Sequence, residues 1–173
     1  MLFRSIGSTD ADWGGDNNSR RSTTGHIFLL QQGKSYATIS WLSKLQSTVA
    51  LSSVEAEFMA YREAIKQSIY LTQFYEEIRP VVVLDLATPT TIYSDSQSAI
   101  QLSKNPSYHA RTKHIDIQYY FVREKIEAEQ IKLVYQHTSQ LLADCLTKAT
   151  STEKIKNFLL GVNIVDLSQI SAS

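Results

Sequence analysis

The stretch TTIYSDSQSAI, residues 90–100, is the part of the sequence that decides the fold. A β-prone run ends at Asp95, and a helix-like run begins directly after it at Ser96. Open α/β sheets place their functional residues at the carboxyl ends of their strands. Asp95 is therefore the first candidate for a functional carboxylate, although the N-cap of the following helix is an equally simple explanation for an aspartate at this position.

The hydrophobic pattern on both sides of this stretch predicts the element order β-β-β-α-β-α-α-β-α. Antiparallel strands come first, and the later strands enter through helical crossovers, so the fold class is α/β with a mixed sheet. The predicted strands cover residues 2–13, 26–32, 35–43, 91–94 and 131–136. The predicted helices cover residues 51–78, 96–104, 111–129, 140–148 and 152–160, and residues 80–89 are expected to be a connection.

Composition indicates one soluble domain, expected over residues 1–161, with a frayed tail over residues 162–173. Lys plus Arg and Asp plus Glu are each 17 in number, so net charge gives no indication of a polyanionic partner. The single cysteine, Cys145, excludes an intramolecular disulfide and favours a reducing compartment. No apolar run approaches the roughly 20 residues of a membrane span. We therefore expect an intracellular protein, cytoplasmic or nuclear, without a membrane partner.

The long predicted helix contains two glutamates, Glu55 and Glu57, which point in different directions. Two positions on an α-helix differ by roughly 200°, so both cannot face the same neighbour. Glu55 lies three residues after Ser52 and forms a capping box with it. Glu57 lies above a stripe of small residues that can pack on a sheet, and it is the functional candidate. First-turn stabilisation of the helix dipole is the alternative explanation for Glu57.

Further acids occur at both ends of the chain. Asp10 and Asp12 share one face of a predicted strand, and geometry alone does not separate them. Asp16 is most simply a turn residue with an Asx-type hydrogen bond. Asp144 lies among leucines in LLADCLTK, where a carboxylate requires something that neutralises it. Four oxygen ligands without a thiol suit Mg²⁺ or Mn²⁺, and two such ions can act on a phosphodiester.

Several long phrases resemble the ribonuclease H domain of the Pol polyprotein of copia-type LTR retrotransposons. They are TDADWGGD, RRSTTGHIFLL, ISWLSKLQSTVALSSVEAEFMA, TIYSDSQSAIQLSKNPSYHARTKHIDIQYYFVREK and QLLADCLTK. The resemblance runs from about residue 7 to about residue 160. It implies the ribonuclease H-like fold, with a five-stranded mixed sheet flanked by helices.

The resemblance also implies a site and a reaction. The four metal-binding acids correspond to Asp10, Glu57, Asp95 and Asp144, which selects Asp10 over Asp12, and they hold two Mg²⁺ or Mn²⁺ ions. The reaction is hydrolysis of the RNA strand of an RNA/DNA hybrid, beside a reverse transcriptase domain in the parent polyprotein. His137 corresponds to a histidine that carries protons or aids product release in cellular enzymes. A solvated loop histidine is the alternative for His137.

Substrate contacts are expected next to the acids and in a basic segment. Ser96 and Gln97 can hydrogen-bond a ribose 2′-hydroxyl. Residues 104–125 contain five Lys or Arg and two acids, which favours phosphate binding, with Arg111, Lys113 and His114 at its start. The alternative for this segment is a solvated helix face. The alternative for the whole domain is a catalytically inactive nucleic-acid-binding or assembly module derived from a retrotransposon.

Overall fold

Secondary structure covers most of the chain. The computed structural model describes residues 2–81, 85–105 and 113–164, which form five strands, four α-helices and one 3-10 helix. The elements are β1 (Leu2–Asp12), β2 (Thr23–Gln32), β3 (Ser35–Leu45), α1 (Ser53–Ile78), β4 (Asp85–Ser94), α2 (Gln97–Ser103), α3 (Lys113–Glu127), β5 (Ile131–Tyr135), the 3-10 helix (Leu142–Leu146) and α4 (Thr152–Gly161).

The five described strands form one mixed sheet in the order β3-β2-β1-β4-β5. The first three strands are an antiparallel meander, and β4 and β5 add to β1 in parallel. The parallel pairs require crossovers, which α1 supplies between β3 and β4, and α2 and α3 supply between β4 and β5. The predicted α/β class with a five-stranded mixed sheet is confirmed.

Helix α1 packs on one face of the sheet and forms most of the core. Phe58, Tyr61 and Ile65 of α1 are at most 1% exposed and join Phe28 and Ile92 of the sheet in one hydrophobic cluster. Burial of each such side chain stabilises the fold by roughly 1.5–3 kcal/mol. The predicted stripe of small residues is also buried, and it comprises Ala60, Ala64, Ser68 and Leu71.

The 3-10 helix packs against β1 and β2 on the face opposite α1. Gly25 permits this contact, because a Cβ atom there would lie 2.8 Å from Thr147 Cγ2 and 3.0 Å from the carbonyl oxygen of Ala143. The hydroxyl of Ser8 accepts a hydrogen bond from the N–H of Ala143 at 3.2 Å. A glycine on β2 and a serine on β1 therefore bring the segment around Asp144 onto the strand that carries Asp10.

Two predicted spans are wrong. Residues 80–89 are not a connection throughout, because β4 already begins at Asp85 and contains Pro89. Proline is tolerated there because the β1–β4 pairing shifts its register between Arg4 and Ile6, where no ladder hydrogen bond from the proline is needed. The helix predicted over residues 140–148 is only a short 3-10 helix, which fits the close approach at Gly25.

The last described residues lie along β3. Thr38 donates a hydrogen bond to the carbonyl of Val162 at 2.9 Å, and the side chain of Asn163 donates to the carbonyl of Tyr36 at 3.2 Å. The predicted tail continues over residues 165–173, which lie outside the described residues, so the domain boundary stays a prediction. None of the described helices has the length and apolar character that crossing a membrane requires.

Candidate metal centre

Two strands bring Asp10 and Asp95 to the same edge of the sheet. In the parallel β1–β4 pair, Ser8 lies opposite Tyr93, so that Asp10 and Asp95 each follow two residues later on neighbouring strands. Carboxyl ends of adjacent parallel strands meet at one edge. Ser96, and not Asp95, is the N-cap of α2, since its hydroxyl accepts the N–H of Ala99. The N-cap explanation for Asp95 is therefore wrong.

Helix α1 begins at the same edge and adds Glu57. Ser52 caps the helix by accepting the N–H of Glu55 at 3.1 Å, and the Glu55 carboxylate accepts the N–H of Leu51 at 2.8 Å. Glu55 is therefore occupied by the cap, close to the predicted capping box. Glu57 turns towards β1, and the backbone N–H of Ala11 lies close enough to its carboxylate to favour the charged form.

The structure brings Asp10, Glu57 and Asp95 together. One carboxylate oxygen from each lies within 4.8 Å of the other two. Asp10 is 2% exposed and Glu57 6% exposed, while Asp95 is half-buried and faces solvent on one side. Asp12 takes a different role, because its carboxylate accepts the N–H of Thr23 and closes the β1–β2 connection. Asp16 forms the predicted turn, accepting the N–H of Ser19 at 2.7 Å.

Burial and mutual repulsion raise the pKa values of two of these acids. Burial is the main cause for both Asp10 and Glu57. For Asp10, the Thr147 hydrogen bond and the Lys148 ammonium oppose the rise, and the charges of Asp95 and Asp144 add to it. For Glu57, the neighbouring charges of Asp10 and Asp95 add to burial, so its pKa lies well above the ordinary value. The cluster thus disfavours three negative charges unless a cation compensates them.

The donor set fits a hard divalent cation. All ligand atoms are carboxylate oxygens, which Mg²⁺ and Mn²⁺ prefer. Glu57 Oε2 is buried and has no hydrogen-bond partner among the described residues. A buried carboxylate oxygen without a partner is costly, and coordination of a cation removes that cost.

Asp144 lies near this cluster but is not part of it. Its carboxylate is 1% exposed and forms ion pairs with Lys148 through Oδ1 and with Lys154 through Oδ2. The charge that neutralises Asp144 in its apolar surroundings therefore comes from two lysines, whereas the sequence predicts a metal ion in that role. Lys148 Nζ also lies 3.9 Å from Asp10 Oδ2 and so links the fourth acid to the other three.

Two threonines hold the acids and were not found by sequence reasoning. The hydroxyl of Thr147 donates to Asp10 Oδ2, and the hydroxyl of Thr138 donates to Asp95 Oδ2 at 2.5 Å. Thr147 and Lys148 both occur in the phrase LADCLTK, in which the aspartate is the residue whose side chain is a typical ligand of a divalent metal ion. The spacing of four between Asp144 and Lys148 is the one signal in the sequence that favours an ion pair.

The remaining predicted residues surround the cluster unevenly. Ser96 caps α2, and Gln97 is exposed at the start of that helix. His137 is exposed and directly precedes Thr138, which donates to Asp95. Its Nδ1 accepts a hydrogen bond from the N–H of Ser139 at 3.2 Å. Arg111 and the side chains of Lys113 and His114 lie outside the described residues.

The described part of the predicted basic segment has much of its charge compensated. In α3, Arg123 pairs with Glu127 at 3.6 Å, and Lys125 pairs with Glu124 at 2.8 Å. Lys104 is exposed at the C-cap of α2. Phosphate binding by this segment therefore stays a prediction.

Comparisons with known proteins agree with this fold. The chain is 45% identical over 151 residues to the retrovirus-related Pol polyprotein from transposon TNT 1-94 of Nicotiana tabacum, a match that covers 87% of the chain and 11% of the polyprotein. The solved structure of LC11-RNase H1, isolated from compost by a metagenomic approach, superposes with a TM-score of 0.55 at 17% identity, covering 90% of this chain and 98% of that one. The chain is a ribonuclease H-like domain related to copia-type Pol polyproteins.

A second structure of LC11-RNase H1, in complex with an RNA/DNA hybrid, also has a TM-score of 0.55, at 13% identity, and covers 83% of this chain and 94% of that one. No protein-family model matches the chain. The ribonuclease H-like domain spans about a tenth of the length of the polyprotein that it matches. At these identities the solved structures establish the fold, and the roles of individual residues rest on the geometry described above.

Proposed function

We propose that the domain is a metal-dependent endoribonuclease that hydrolyses the RNA strand of RNA/DNA hybrids. The observation that carries the proposal is the convergence of Asp10, Glu57 and Asp95 at the carboxyl ends of β1 and β4, with oxygens within 4.8 Å of one another. The similarity to a Pol polyprotein and to a ribonuclease H solved with a hybrid supports the same reaction class.

Asp10, Glu57 and Asp95 would hold a divalent cation, with Asp144 as the fourth acid. Two divalent ions supply an activated water and stabilise the leaving oxygen of a phosphodiester when they are bound. Thr147 and Thr138 keep Asp10 and Asp95 oriented towards the cluster. Buried Asp10 and Glu57 keep one side of the site dry, while half-buried Asp95 leaves the other side open to a substrate.

Substrate recognition would come from the residues next to Asp95 and from the start of the basic segment. Ser96 and Gln97, which follow Asp95 in the sequence, would hydrogen-bond a ribose 2′-hydroxyl, the group that distinguishes RNA from DNA. Arg111, Lys113 and His114 would contact phosphates, and exposed His137 would carry a proton at Nε2. A reverse transcriptase domain in the parent polyprotein would be the partner that delivers the hybrid.

A second candidate is a nucleic-acid-binding or assembly module without turnover. One observation favours it, because both oxygens of Asp144 are already engaged by Lys148 and Lys154. Cleavage of a labelled RNA/DNA hybrid in Mg²⁺ or Mn²⁺ distinguishes the two candidates, with duplex RNA and duplex DNA as parallel substrates. Hybrid-specific cleavage supports the enzyme, whereas hybrid binding by a folded protein that cleaves none of the substrates supports the module.

A further inference from the structure

Lys148 lies between the fourth acid and the three-acid cluster. Its ammonium group pairs with Asp144 Oδ1 and lies 3.9 Å from Asp10 Oδ2. Asp144 and Asp10 are 1% and 2% exposed, so water compensates little of the charge on either carboxylate. Among the residues that the structure describes, Lys148 is therefore the cation that these two buried acids share.

The backbone keeps Lys148 in this position. It follows Thr147, whose hydroxyl donates to Asp10 Oδ2 and also lies 3.2 Å from the carbonyl oxygen of Asp144. Lys148 thus directly follows the C-cap of the 3-10 helix, Thr147, which contacts both Asp10 and Asp144. Lys154 on α4 contacts the other oxygen of Asp144, and among the described residues it has no ion pair with Asp10. The two lysines therefore have different relations to the cluster.

We propose that Lys148 is an internal counter-cation of the site, which competes with a divalent ion for Asp10 and Asp144. This inference rests on the proposed metal-dependent function. The oxygens of Asp10, Glu57 and Asp95, with Glu57 Oε2 unpartnered among the described residues, then form the tighter cation site. A second divalent ion that uses Asp144 must displace the Lys148 ammonium, so it binds more weakly than the first.

Mn²⁺ binding to the whole chain tests this directly, by calorimetry and by the electron paramagnetic resonance signal of free Mn²⁺. We expect the unsubstituted protein to bind one ion more tightly than a second. Lys148→Met removes the competing charge, and we expect the second dissociation constant to fall at least roughly tenfold. Lys148→Arg keeps the charge and is expected to bind like the unsubstituted protein.

Two further variants separate this effect from folding and from net charge. Lys148→Gln is a second neutral variant for the case in which Lys148→Met does not fold. Lys156→Met removes one charge from an exposed position of α4 and is expected to leave both dissociation constants unchanged. Thermal unfolding adds another measurement: neutral Lys148 variants should melt below the unsubstituted protein without Mn²⁺, and saturating Mn²⁺ should remove most of that difference.

The outcomes distinguish failure of this inference from failure of the proposed function. If the unsubstituted protein binds Mn²⁺ and the neutral Lys148 variants bind it with the same stoichiometry and affinity, Lys148 does not compete with a divalent ion, and the metal site stands. A loss of thermal stability that Mn²⁺ leaves unchanged has the same meaning. If none of the folded proteins binds Mn²⁺, both the inference and the proposed metal dependence are wrong.

Discussion

Replacement of Glu57 by glutamine should change stability and metal binding in opposite directions. The substitution keeps the shape of the side chain and removes one of the two buried charges of the three-acid cluster. The side-chain amide of the glutamine can donate a hydrogen bond towards Asp10 or Asp95, where the glutamate offers only a like charge. We therefore expect Glu57→Gln to stabilise the protein in the absence of divalent ions and to weaken its binding of Mn²⁺.

The magnitude follows from the spacing of the carboxylates. Two like charges at 4.8 Å, the distance within which the cluster oxygens lie, repel by about 3.5 kcal/mol when the effective dielectric constant is about 20. Solvent at half-buried Asp95 and partial protonation of Glu57 relieve most of this repulsion. We expect a net gain of about 1 kcal/mol in the free energy of unfolding at pH 8, or about 2–4 °C in Tm for a domain of this size.

The pH dependence gives the prediction its sign. The pKa of Glu57 lies well above its ordinary value in the folded protein, so the folded state binds more protons than the unfolded state. Stability from the protonated form is present below the unfolded pKa and is lost as pH rises through the folded pKa. The advantage of Glu57→Gln should therefore be small at pH 5 and should grow towards pH 8.

Urea unfolding at both pH values, with and without Mn²⁺, measures these effects. Glu55→Gln is the matched control, because it makes the same chemical change two residues away, in the helix cap. It should cost some stability at both pH values and leave the Mn²⁺-induced stabilisation intact. A Glu57→Gln protein that is less stable at pH 8 without metal, or that keeps the full Mn²⁺-induced stabilisation, would refute the reasoning.

Three further predictions concern residues around the cluster. Burial lowers the pKa of His26 from 6.5 to about 4, so roughly 3 kcal/mol of stability should be lost as pH falls from 7 to 4. Urea unfolding should show a smaller loss for His26→Gln, and equal losses in the two proteins would contradict this. Thr147→Val removes the hydrogen-bond donor to Asp10 and should lower the free energy of unfolding by about 1–2 kcal/mol. It should also weaken Mn²⁺ binding in calorimetry, and unchanged binding would exclude a role of Thr147 in the metal site. Gly25→Ala should lower the free energy of unfolding, measured in urea, by about 1–3 kcal/mol, because the added methyl group would lie 2.8 Å from Thr147 Cγ2. An unchanged free energy of unfolding would show that the 3-10 helix moves freely.

Local periodicity predicts several features of this domain well. The helical angle of about 100° per residue separates Glu57 from Glu55, and the structure places only Glu57 beside Asp10 and Asp95. The strand end before Asp95 is visible from the β-prone run that precedes it and from the helix-like run that follows it, whereas the cap at Ser96 is seen only in the structure. These features depend on residues close together in the chain, so the sequence is sufficient to predict them.

Other features depend on distant contacts and are not accessible in this way. Strand alternation leaves Asp10 and Asp12 equivalent, and contacts with distant residues separate their roles, because Asp12 accepts the N–H of Thr23 and Asp10 accepts the hydroxyl of Thr147. Pro89 lies within β4 because the register of β1 shifts at that point. The pair between Asp144 and Lys154 forms where the 3-10 helix and α4 meet, and periodicity within one element carries no information about that contact.

The most direct test of the central claim is cleavage of a labelled RNA/DNA hybrid by the purified domain in Mg²⁺ or Mn²⁺, beside an Asp95→Asn variant. The proposed site predicts hybrid-specific cleavage that requires the divalent ion and falls at least roughly 100-fold in the variant, since Asp95 is one of the three converging acids. The variant should remain folded and still bind the hybrid. Equal cleavage by both proteins, or cleavage that persists in a chelator, would contradict a metal centre at Asp10, Glu57 and Asp95.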